Sequence, residues 1–336
     1  MPAKFKVYCM GKLGSDSLDL EQKELALCDA EVEFVKARGL SEDELISKIK
    51  DADAILGMAN FTPRIMKSLT KCRLIASYIV GYDFIDLDSA TENGIIITNN
   101  PASEWCVEEV SNHAITLLLA CAKKMVMLNN LLKSRHWAES RRIQSPMSPI
   151  HGQTLGLIGC GEIARMTAMK AQAFNLKAVG YDPYLDESVA AESGISLASL
   201  PEVLKESDFV SIHTPLNEET FHLIGEKEFK QMKPNSYLIN TGRGKIIDEP
   251  ALIKALREKW ISGAGLDVFE KEPVDEDNPL LKMDNVIVTA HTASFSDAAI
   301  ENQAMNPLQE VIRVLNGYWP KHPINRNVKP KFDLAE

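Results

Sequence analysis

The feature that most constrains the fold is a regular alternation of short β-rich runs with helical patterns along almost the whole chain. In the first hundred residues the β-rich runs lie at 6–9, 32–35, 54–58, 74–78 and 95–98. A second series lies at 154–158, 177–181, 208–213, 236–240, 262–268 and 285–288. Strands that alternate with helices predict parallel sheets with helices on both faces. The sequence therefore predicts an α/β protein built from two doubly wound parallel-sheet domains.

Helix signals fall between these runs and in the segment that separates the two series. Ser41 to Glu44 has the pattern of a capping box, and Thr62-Pro63 that of an N-cap followed by a first-turn proline, so each predicts the start of a helix. Residues 105–133 carry one long helical pattern, and a polar, proline-bearing stretch follows to residue 151. This connection is longer than an ordinary crossover, which indicates an arm or an interface element. A last helical stretch, 296–315, has no strand after it.

Composition narrows the class of protein further. The 336 residues suggest about two domains. The net charge of −10, from 37 basic and 47 acidic residues, argues against nucleic acid or an anionic membrane as a main partner. The six cysteines are scattered and the seven histidines show no metal-ligand spacing, so no metal site is expected. The N-terminus lacks the apolar region of a secretory signal. Together these features predict a cytoplasmic protein.

The strongest local motif follows the run at 154–158. It has the form G-x-G-x-x-A, with glycines at Gly159 and Gly161 and alanine at Ala164. The first glycine allows the tight turn and the second allows the backbone to approach a pyrophosphate. A helix that begins near Glu162 and Ile163 would present its N–H groups to the phosphates. The motif predicts a dinucleotide-binding Rossmann domain.

A carboxylate stands where such a domain binds the adenosine ribose. Asp182 ends the next β-rich run, 18 residues beyond Ala164. It would accept hydrogen bonds from the ribose hydroxyls and repel a 2′-phosphate, and no arginine follows it closely. NAD is therefore the expected cofactor rather than NADP. An exposed aspartate on an ordinary βα turn is the simpler alternative.

Three polar groups follow three successive later runs. Arg243 lies between two glycines after 236–240, the carboxylates Asp267, Glu270 and Glu272 follow the next run, and His291 follows the last. Ligands of open α/β sheets bind beyond the carboxyl ends of the strands. A guanidinium for a substrate carboxylate, an imidazole for a proton and a carboxylate that favours the charged imidazole could converge there. Singly, each could be an ordinary surface or capping residue.

The chain resembles the NAD-dependent D-isomer-specific 2-hydroxyacid dehydrogenase family over nearly its whole length. The shared segments are Val80 to Asp83, Val107 to Val110, 155–164, 207–216, 232–234, Thr241 to Gly244, Leu266 to Pro273 and Thr289 to His291. Family members interconvert a 2-oxo acid and a D-2-hydroxy acid by hydride transfer. The resemblance implies that this chain is such an enzyme.

The resemblance also implies a role for each site residue. Arg243 would bind the substrate carboxylate and carbonyl oxygen, His291 would be the general acid/base, and Glu272 its partner. Glu270 is the alternative, but the family's glutamate directly precedes proline, as Glu272 does. Backbone N–H groups at Val80 and Gly81 would hold the substrate carboxylate. The remaining cofactor-lining positions would be His213, Thr214, Pro215, Thr241 and Gly242, with Asp267 near the nicotinamide amide.

The family fold implies a Rossmann cofactor domain inserted in a flavodoxin-like substrate domain. Residues 1–100 and 299–336 would form the substrate domain and 101–298 the NAD domain, with an arm at 105–150 that builds a homodimer. Three sequence features depart from the family pattern or leave a role open. Ala164 replaces the third glycine, Ala290 stands where proline usually precedes the histidine, and Trp105 could shape the substrate pocket or pack between the domains.

Two other functions share this pattern of residues. C-terminal binding proteins, which are transcriptional corepressors that sense NAD(H), use the same fold and keep the same three residues, and the Val107 to Val110 segment is somewhat similar to theirs. Against that reading, the chain has no nuclear-type basic run. A different enzyme substrate, such as phosphite, is a further option that no residue selects.

Overall fold

The computed structural model describes residues 4–10, 17–101, 105–143 and 147–335, which fall into two compact units. The first unit contains Met1–Trp105 and Ser296–Glu336, and the second contains Cys106–Phe295. The chain thus leaves the first unit and returns to it.

The first unit is a five-stranded parallel sheet flanked by helices. Its strands are β1 (Phe5–Met10), β2 (Ala30–Phe34), β3 (Ala54–Gly57), β4 (Leu74–Ala76) and β5 (Ile96–Thr98), and its helices are α1 (Asp19–Leu25), α2 (Glu42–Ile49), α3 (Pro63–Ser68), α4 (Leu87–Glu92) and α13 (Asp297–Leu315). The order β2-β1-β3-β4-β5 is that of flavodoxin-like folds. Ser41 forms the predicted capping box with Glu44, and Thr62 caps α3. These helix starts are confirmed.

The second unit is a seven-stranded parallel sheet. Its strands are β6 (Thr154–Ile158), β7 (Lys177–Tyr181), β8 (Ile195–Leu197), β9 (Phe209–Ile212), β10 (Tyr237–Asn240), β11 (Gly263–Leu266) and β12 (Val286–Val288), and its helices are α5 (Val107–Ala122), α6 (Met125–Lys133), α7 (Trp137–Arg142), α8 (Glu162–Gln172), α9 (Glu187–Glu192), α10 (Leu200–Glu206), α11 (Glu226–Phe229) and α12 (Glu249–Arg257). The order β12-β11-β10-β9-β6-β7-β8 is the Rossmann order with one further strand. The strand order reverses between β6 and β9.

Both sheets are buried on both faces, because alternate residues of each strand enter different cores. In β1, Val7 and Cys9 pack with Leu308 and Val311 of α13, whereas Tyr8 and Met10 belong to the core on the opposite face. In β6, Leu155 and Leu157 pack on one face and Ile158 on the other. The predicted fold class, two doubly wound parallel-sheet domains, is confirmed.

Two sequence-based predictions about elements were wrong. The helical pattern predicted over 105–133 is two helices, α5 and α6, which meet at a 62° bend. Lys124 lies at the bend with φ +51°, in the left-handed region that an α-helix cannot contain. The edge strand β8 was not predicted, because Ile195–Leu197 has only one buried residue and therefore no apolar run that would indicate a strand.

Within the described ranges, no single helix has the length and hydropathy of a membrane span. Helices α5 and α6 reach that threshold only when they are counted together across their bend.

Candidate active site

The candidate site lies at the carboxyl ends of three neighbouring strands of the second unit. β10, β11 and β12 are adjacent and parallel in the sheet. Arg243 follows β10, Asp267 and Glu272 follow β11, and His291 follows β12. The loops that leave parallel strands emerge at the same edge, so the fold brings together the groups that the sequence placed at three separate strand ends.

The central interaction of the site joins His291 to Glu272. Nδ1 of His291 lies 2.8 Å from Oε2 of Glu272, and the two side chains are 45% and 37% exposed. Because Nδ1 faces an acceptor, it carries a hydrogen, and in the neutral ring Nε2 is then the basic nitrogen. None of the described residues is hydrogen-bonded to Nε2. The imidazole is held at one nitrogen and can exchange a proton at the other.

The environment of Glu272 keeps it ionised. Burial acts to raise the pKa of this carboxyl, but the hydrogen bond and charge of His291, the N–H of Phe269 and the charge of Arg243 together lower the pKa below its ordinary value. The carboxylate is therefore charged at neutral pH and stabilises a positive charge on the imidazole. Glu270, the alternative carboxylate, is hydrogen-bonded to His222 instead. It is Glu272 that faces His291.

Arg243 lies in a turn that is held by hydrogen bonds of Asn240 and by a close approach at Gly244. The Asn240 side chain accepts the N–H of Gly242 at 3.0 Å and donates to the carbonyl of Arg243 at 3.0 Å, which closes the turn after β10. At Gly244 a Cβ would overlap the backbone of Phe269 and Glu270, so glycine is needed for the loops after β10 and β11 to touch. This close approach places Arg243 near enough to Glu272 for its charge to act on the carboxyl.

Asp267 holds the loop that carries His291. Its side chain is fully buried, and it accepts the hydroxyl of Thr289 at 2.6 Å and the N–H groups of Thr292 and Ala293 at 2.9 Å each. Its carbonyl accepts the N–H of His291 at 2.7 Å. The structure thus gives Asp267 a second task beside the nicotinamide contact expected from the sequence, and that contact stays a prediction.

The fingerprint loop lies where the strand order of the second sheet reverses. Gly159 has φ +81°, and a Cβ on it would lie 2.7 Å from the backbone nitrogen of Thr214. Only glycine therefore allows the loop after β6 to pack against the loop after β9, which contains Thr214 and Pro215. Gly161 precedes α8 and has open space where its Cβ would be. Backbone and ligand can approach each other closely there.

Asp182 is held by a backbone N–H group at each carboxylate oxygen, and one of these groups belongs to the fingerprint loop. One oxygen accepts the N–H of Cys160 at 2.9 Å and the other accepts the N–H of Tyr184 at 3.0 Å. The side chain is thereby fixed at the end of β7, beside the fingerprint. Each carboxylate oxygen has a second lone pair, so the ribose contacts expected from the sequence remain possible in this orientation.

The residues at this edge fit a bound dinucleotide. Within the described ranges, the buried hydroxyl of Thr241 has no hydrogen-bond partner, and a buried polar atom of this kind is expected to meet a ligand or water. The first turn of α8, at Glu162 and Ile163, offers N–H groups after the open Gly161. Burial lowers the pKa of His213, at the end of β9, to about 4, so its imidazole is neutral at neutral pH. Its Nε2 lies 2.8 Å from the hydroxyl of Ser211.

Val80 and Gly81 belong to the first unit, in the loop after β4. The side chain of Asn99 donates to the carbonyl of Val80 at 2.7 Å, and the hydroxyl of Ser77 accepts the N–H of Ile79 at 3.2 Å. These two hydrogen bonds hold the first part of the loop, and the anion-binding role of its backbone stays a prediction. The indole of Trp105 donates to the carbonyl of Asn100 at 3.2 Å.

The Rossmann sheet, the fingerprint loop and the Arg–Glu–His cluster define a nucleotide-dependent dehydrogenase that acts on small carboxylic acids. Residues 115–293 match the family model of the D-isomer specific 2-hydroxyacid dehydrogenase NAD binding domain. The chain is 37% identical to the glyoxylate reductase of Korarchaeum cryptofilum (86% of this chain, 87% of the relative) and 38% identical to that of Thermococcus litoralis (84% and 87%). The chain belongs to the D-isomer specific 2-hydroxyacid dehydrogenase family.

A solved structure agrees with this membership. The D-lactate dehydrogenase of Aquifex aeolicus, determined with NAD and lactic acid, superposes with a TM-score of 0.82 at 30% identity, covering 93% of this chain and 96% of that one. The expected cofactor, NAD, is confirmed at the level of the family. The protein is an NAD-dependent enzyme that interconverts 2-oxo acids and D-2-hydroxy acids.

Sequence reasoning missed two histidines near this site. His222 is hydrogen-bonded to Glu270, and His113 lies 2.9 Å from the hydroxyl of Thr289. The sequence did contain a signal for His113, because this polar residue lies at helical spacing between the buried Val110 and Leu117, on the apolar face of α5. A polar residue on a core-facing stripe calls for a buried partner.

Proposed function

We propose that the enzyme reduces a small 2-oxo acid, with glyoxylate as the first candidate, and that NADH is the preferred reductant. The observation that carries the proposal is the 2.8 Å contact between His291 Nδ1 and Glu272, beside Arg243 at the same sheet edge. The two relatives named above are glyoxylate reductases, which supports a substrate with a very short chain beyond the oxo group.

The chemistry assigns one task to each residue. Arg243 binds the substrate carboxylate through its guanidinium fork. His291, charged and held by Glu272, hydrogen-bonds the 2-oxo oxygen and gives it the Nε2 proton as the carbonyl becomes a hydroxyl. NADH supplies the hydride that C2 receives. In the reverse direction the neutral His291 removes the hydroxyl proton. Backbone N–H groups at Val80 and Gly81 are proposed as the second partner of the substrate carboxylate.

The preference for NADH over NADPH is proposed from Asp182. A 2′-phosphate beside this carboxylate would bring like charges together, which costs on the order of a few kcal/mol at an effective dielectric constant of about 20. Because two backbone N–H groups fix the aspartate, it cannot easily turn away from the phosphate. Hydroxyls of an unphosphorylated ribose would instead donate to it.

The first unit is proposed as the substrate domain and the second as the NAD domain. Of the arm expected at 105–150, α5 packs in the core of the second unit, and α6 and α7 are proposed as the arm that forms a homodimer. Neither arm helix has a buried residue. Four large apolar side chains are instead exposed on these helices: Met125, Val126, Leu132 and Trp137. A cytoplasmic location is proposed on the six cysteines, which are all buried like small core residues of a protein in a reducing compartment.

The test is NADH oxidation with a panel of 2-oxo acids: glyoxylate, hydroxypyruvate, pyruvate, phenylpyruvate, 2-oxoglutarate and 3-phosphohydroxypyruvate. We expect the highest kcat/KM with glyoxylate or hydroxypyruvate, and a lower value when NADPH replaces NADH. A best substrate with a bulky side chain would contradict the substrate proposal. No turnover on the whole panel, with tight NADH binding retained, would favour an NAD(H) sensor similar to the C-terminal binding proteins.

A further inference from the structure

His113 of α5 is linked through one hydroxyl to the carboxylate behind the candidate catalytic loop. Its Nε2 lies 2.9 Å from Oγ1 of Thr289, and that hydroxyl donates to Oδ1 of Asp267 at 2.6 Å. Nε2 itself is 3.7 Å from the same carboxylate oxygen, beyond hydrogen-bond range, so the hydroxyl joins the two groups. The three side chains form a chain from the helix to the buried carboxylate.

The direction of these hydrogen bonds follows from counting protons. A threonine hydroxyl has one hydrogen, and here the carboxylate of Asp267 takes it. The contact with His113 therefore requires an N–H on Nε2, which donates to Thr289. Both the charged ring and the Nε2-protonated neutral ring have this hydrogen. The chain of hydrogen bonds therefore persists whichever charge His113 carries.

The far end of this chain sets the backbone around His291. Asp267 accepts the N–H groups of Thr292 and Ala293 through its carboxylate and that of His291 through its carbonyl. His291 has φ +54°, in the left-handed region that is uncommon for non-glycine residues. Three consecutive N–H groups bound to one buried residue hold the backbone in this conformation. Whatever fixes the Asp267 carboxylate thereby fixes the direction of the imidazole.

We propose that His113 is a positioning residue for catalysis, which acts through Thr289 and Asp267 on the loop that carries His291. This inference rests on the proposed role of His291 as the proton donor. His113 orients Thr289, the hydroxyl of Thr289 orients the carboxylate, and the carboxylate holds the loop in its left-handed turn. His113 does not contact the substrate in this assignment, and its contribution is to the geometry of proton transfer.

The experiment compares conservative and disruptive changes at both positions. Thr289→Val keeps the shape of the side chain and removes the hydroxyl, whereas Thr289→Ser keeps it. His113→Leu removes the donor, whereas His113→Gln places an amide N–H at similar reach. We expect kcat for the best 2-oxo acid to fall about tenfold in the Val and Leu variants, since small displacements of catalytic groups have effects of this size or larger. The KM should change less than kcat, and the Ser and Gln variants should recover most of the activity.

A double variant separates a shared pathway from two independent defects. If both residues act through one chain, His113→Leu combined with Thr289→Val should be no worse than the poorer single variant. Thr116→Val is the matched control, because it removes from the same helix an exposed hydroxyl that is bonded to the carbonyl of Asn112. It should leave kcat unchanged. Thermal unfolding of each variant, followed by circular dichroism, ensures that rates refer to folded enzyme.

The outcomes decide between failure of this inference and failure of the proposed function. Wild-type kcat in folded Thr289→Val, or losses that multiply in the double variant, would overturn the positioning role alone. The isosteric valine variant serves this purpose even if His113→Leu fails to fold. His291→Ala is measured alongside. If it reduces the 2-oxo acids as well as the wild type does, or if the wild type reduces none, the role of His291 fails and the inference fails with it.

Discussion

The guanidinium of Arg243 has two properties that the site can use, a permanent charge and a planar fork. The fork can donate two parallel hydrogen bonds to a carboxylate, whereas an ammonium group acts as a single point charge. The turn that holds it is fixed by Asn240 and by the close approach at Gly244. A substitution at Arg243 should therefore change substrate binding and leave the cofactor edge intact.

We expect Arg243→Lys to lower kcat/KM for the best 2-oxo acid by about tenfold to a hundredfold, because the charge is kept and the fork is lost. Arg243→Ala should lower it further, since the desolvated substrate carboxylate then lacks a partner, at a cost of roughly 2–5 kcal/mol. Both variants should bind NADH normally in a fluorescence titration. A lysine variant as efficient as the wild type would show that Arg243 only neutralises charge.

The pairing of Glu272 with His291 predicts the pH dependence of the reaction. Reduction requires the protonated imidazole, so its kcat/KM should fall as pH rises, and oxidation should show the reverse. The lowered pKa of Glu272 keeps the carboxylate charged across this range, where it stabilises the imidazolium. Glu272→Gln removes the charge of the carboxylate. The limb of the pH profile for reduction, that is, the pH range in which kcat/KM declines, should then move to lower pH by about one unit or more.

Glu270→Gln is the matched control for this measurement. Glu270 has the same side chain two residues away, but its carboxylate is bonded to His222 rather than to His291. Its substitution should leave the position of the limb unchanged. A limb that moved in the Glu270 variant and stayed in place in the Glu272 variant would reverse the assignment of the two carboxylates.

At the scale of elements, the bend between α5 and α6 depends on the backbone of Lys124. Its φ of +51° is costly for any residue with a Cβ and most costly for a β-branched one. Lys123, one residue earlier, has an ordinary φ of −95°. Two adjacent lysines thus end one helix and begin the next, although only the second is strained.

We expect Lys124→Val to destabilise the protein by about 1–2 kcal/mol, because valine disfavours the left-handed region. Lys124→Gly should be neutral or slightly stabilising, since glycine adopts this conformation without steric cost. Lys123→Val is the control and should have a much smaller effect. The measurement is the midpoint of thermal unfolding for the three variants. Equal midpoints for the two valine variants would mean that the bend does not constrain the fold.

Sequence reasoning recovered the elements whose signals are local and strong. Every described strand except β8 follows from the hydrophobic pattern. The capping box at Ser41 and the proline start of α3 follow from capping chemistry. The edge strand Ile195–Leu197 and the bend at Lys124 were missed for physical reasons. The strand has only one buried residue and so no apolar run, and lysine has no preference for the left-handed backbone that would indicate a break in a helix.

The site shows the same division between local and distant signals. The strand-end positions of Arg243, Glu272 and His291 could be read from the sequence, because parallel strands place their carboxyl ends at one edge. The link from His113 to Thr289 spans 176 residues, and no local pattern connects them. The sequence alone did not show whether Glu270 or Glu272 faces His291, and Glu272 was chosen from the family resemblance. In the structure, Glu272 lies 2.8 Å from His291.

For the whole molecule, the arm helices raise the question of what covers their apolar side chains. Trp137 is 66% exposed, Met125 56% and Leu132 49%, and neither α6 nor α7 buries a residue. A helix pair with no buried face gains little from its own packing, since most helix stability comes from tertiary contacts. A second copy of the chain would supply those contacts, and exposed apolar patches commonly mark such interfaces.

We therefore expect size-exclusion chromatography with light scattering, at micromolar protein concentration, to give twice the mass of one chain. Met125→Glu combined with Leu132→Glu should convert it to a monomer, because two buried carboxylates without partners would cost more than a typical interface can offset. Phe174→Glu is the control, since Phe174 is an exposed aromatic residue outside the arm, and it should leave the mass unchanged. A wild-type protein with the mass of one chain, or an arm variant that stays dimeric, would rule out the arm as the dimer interface.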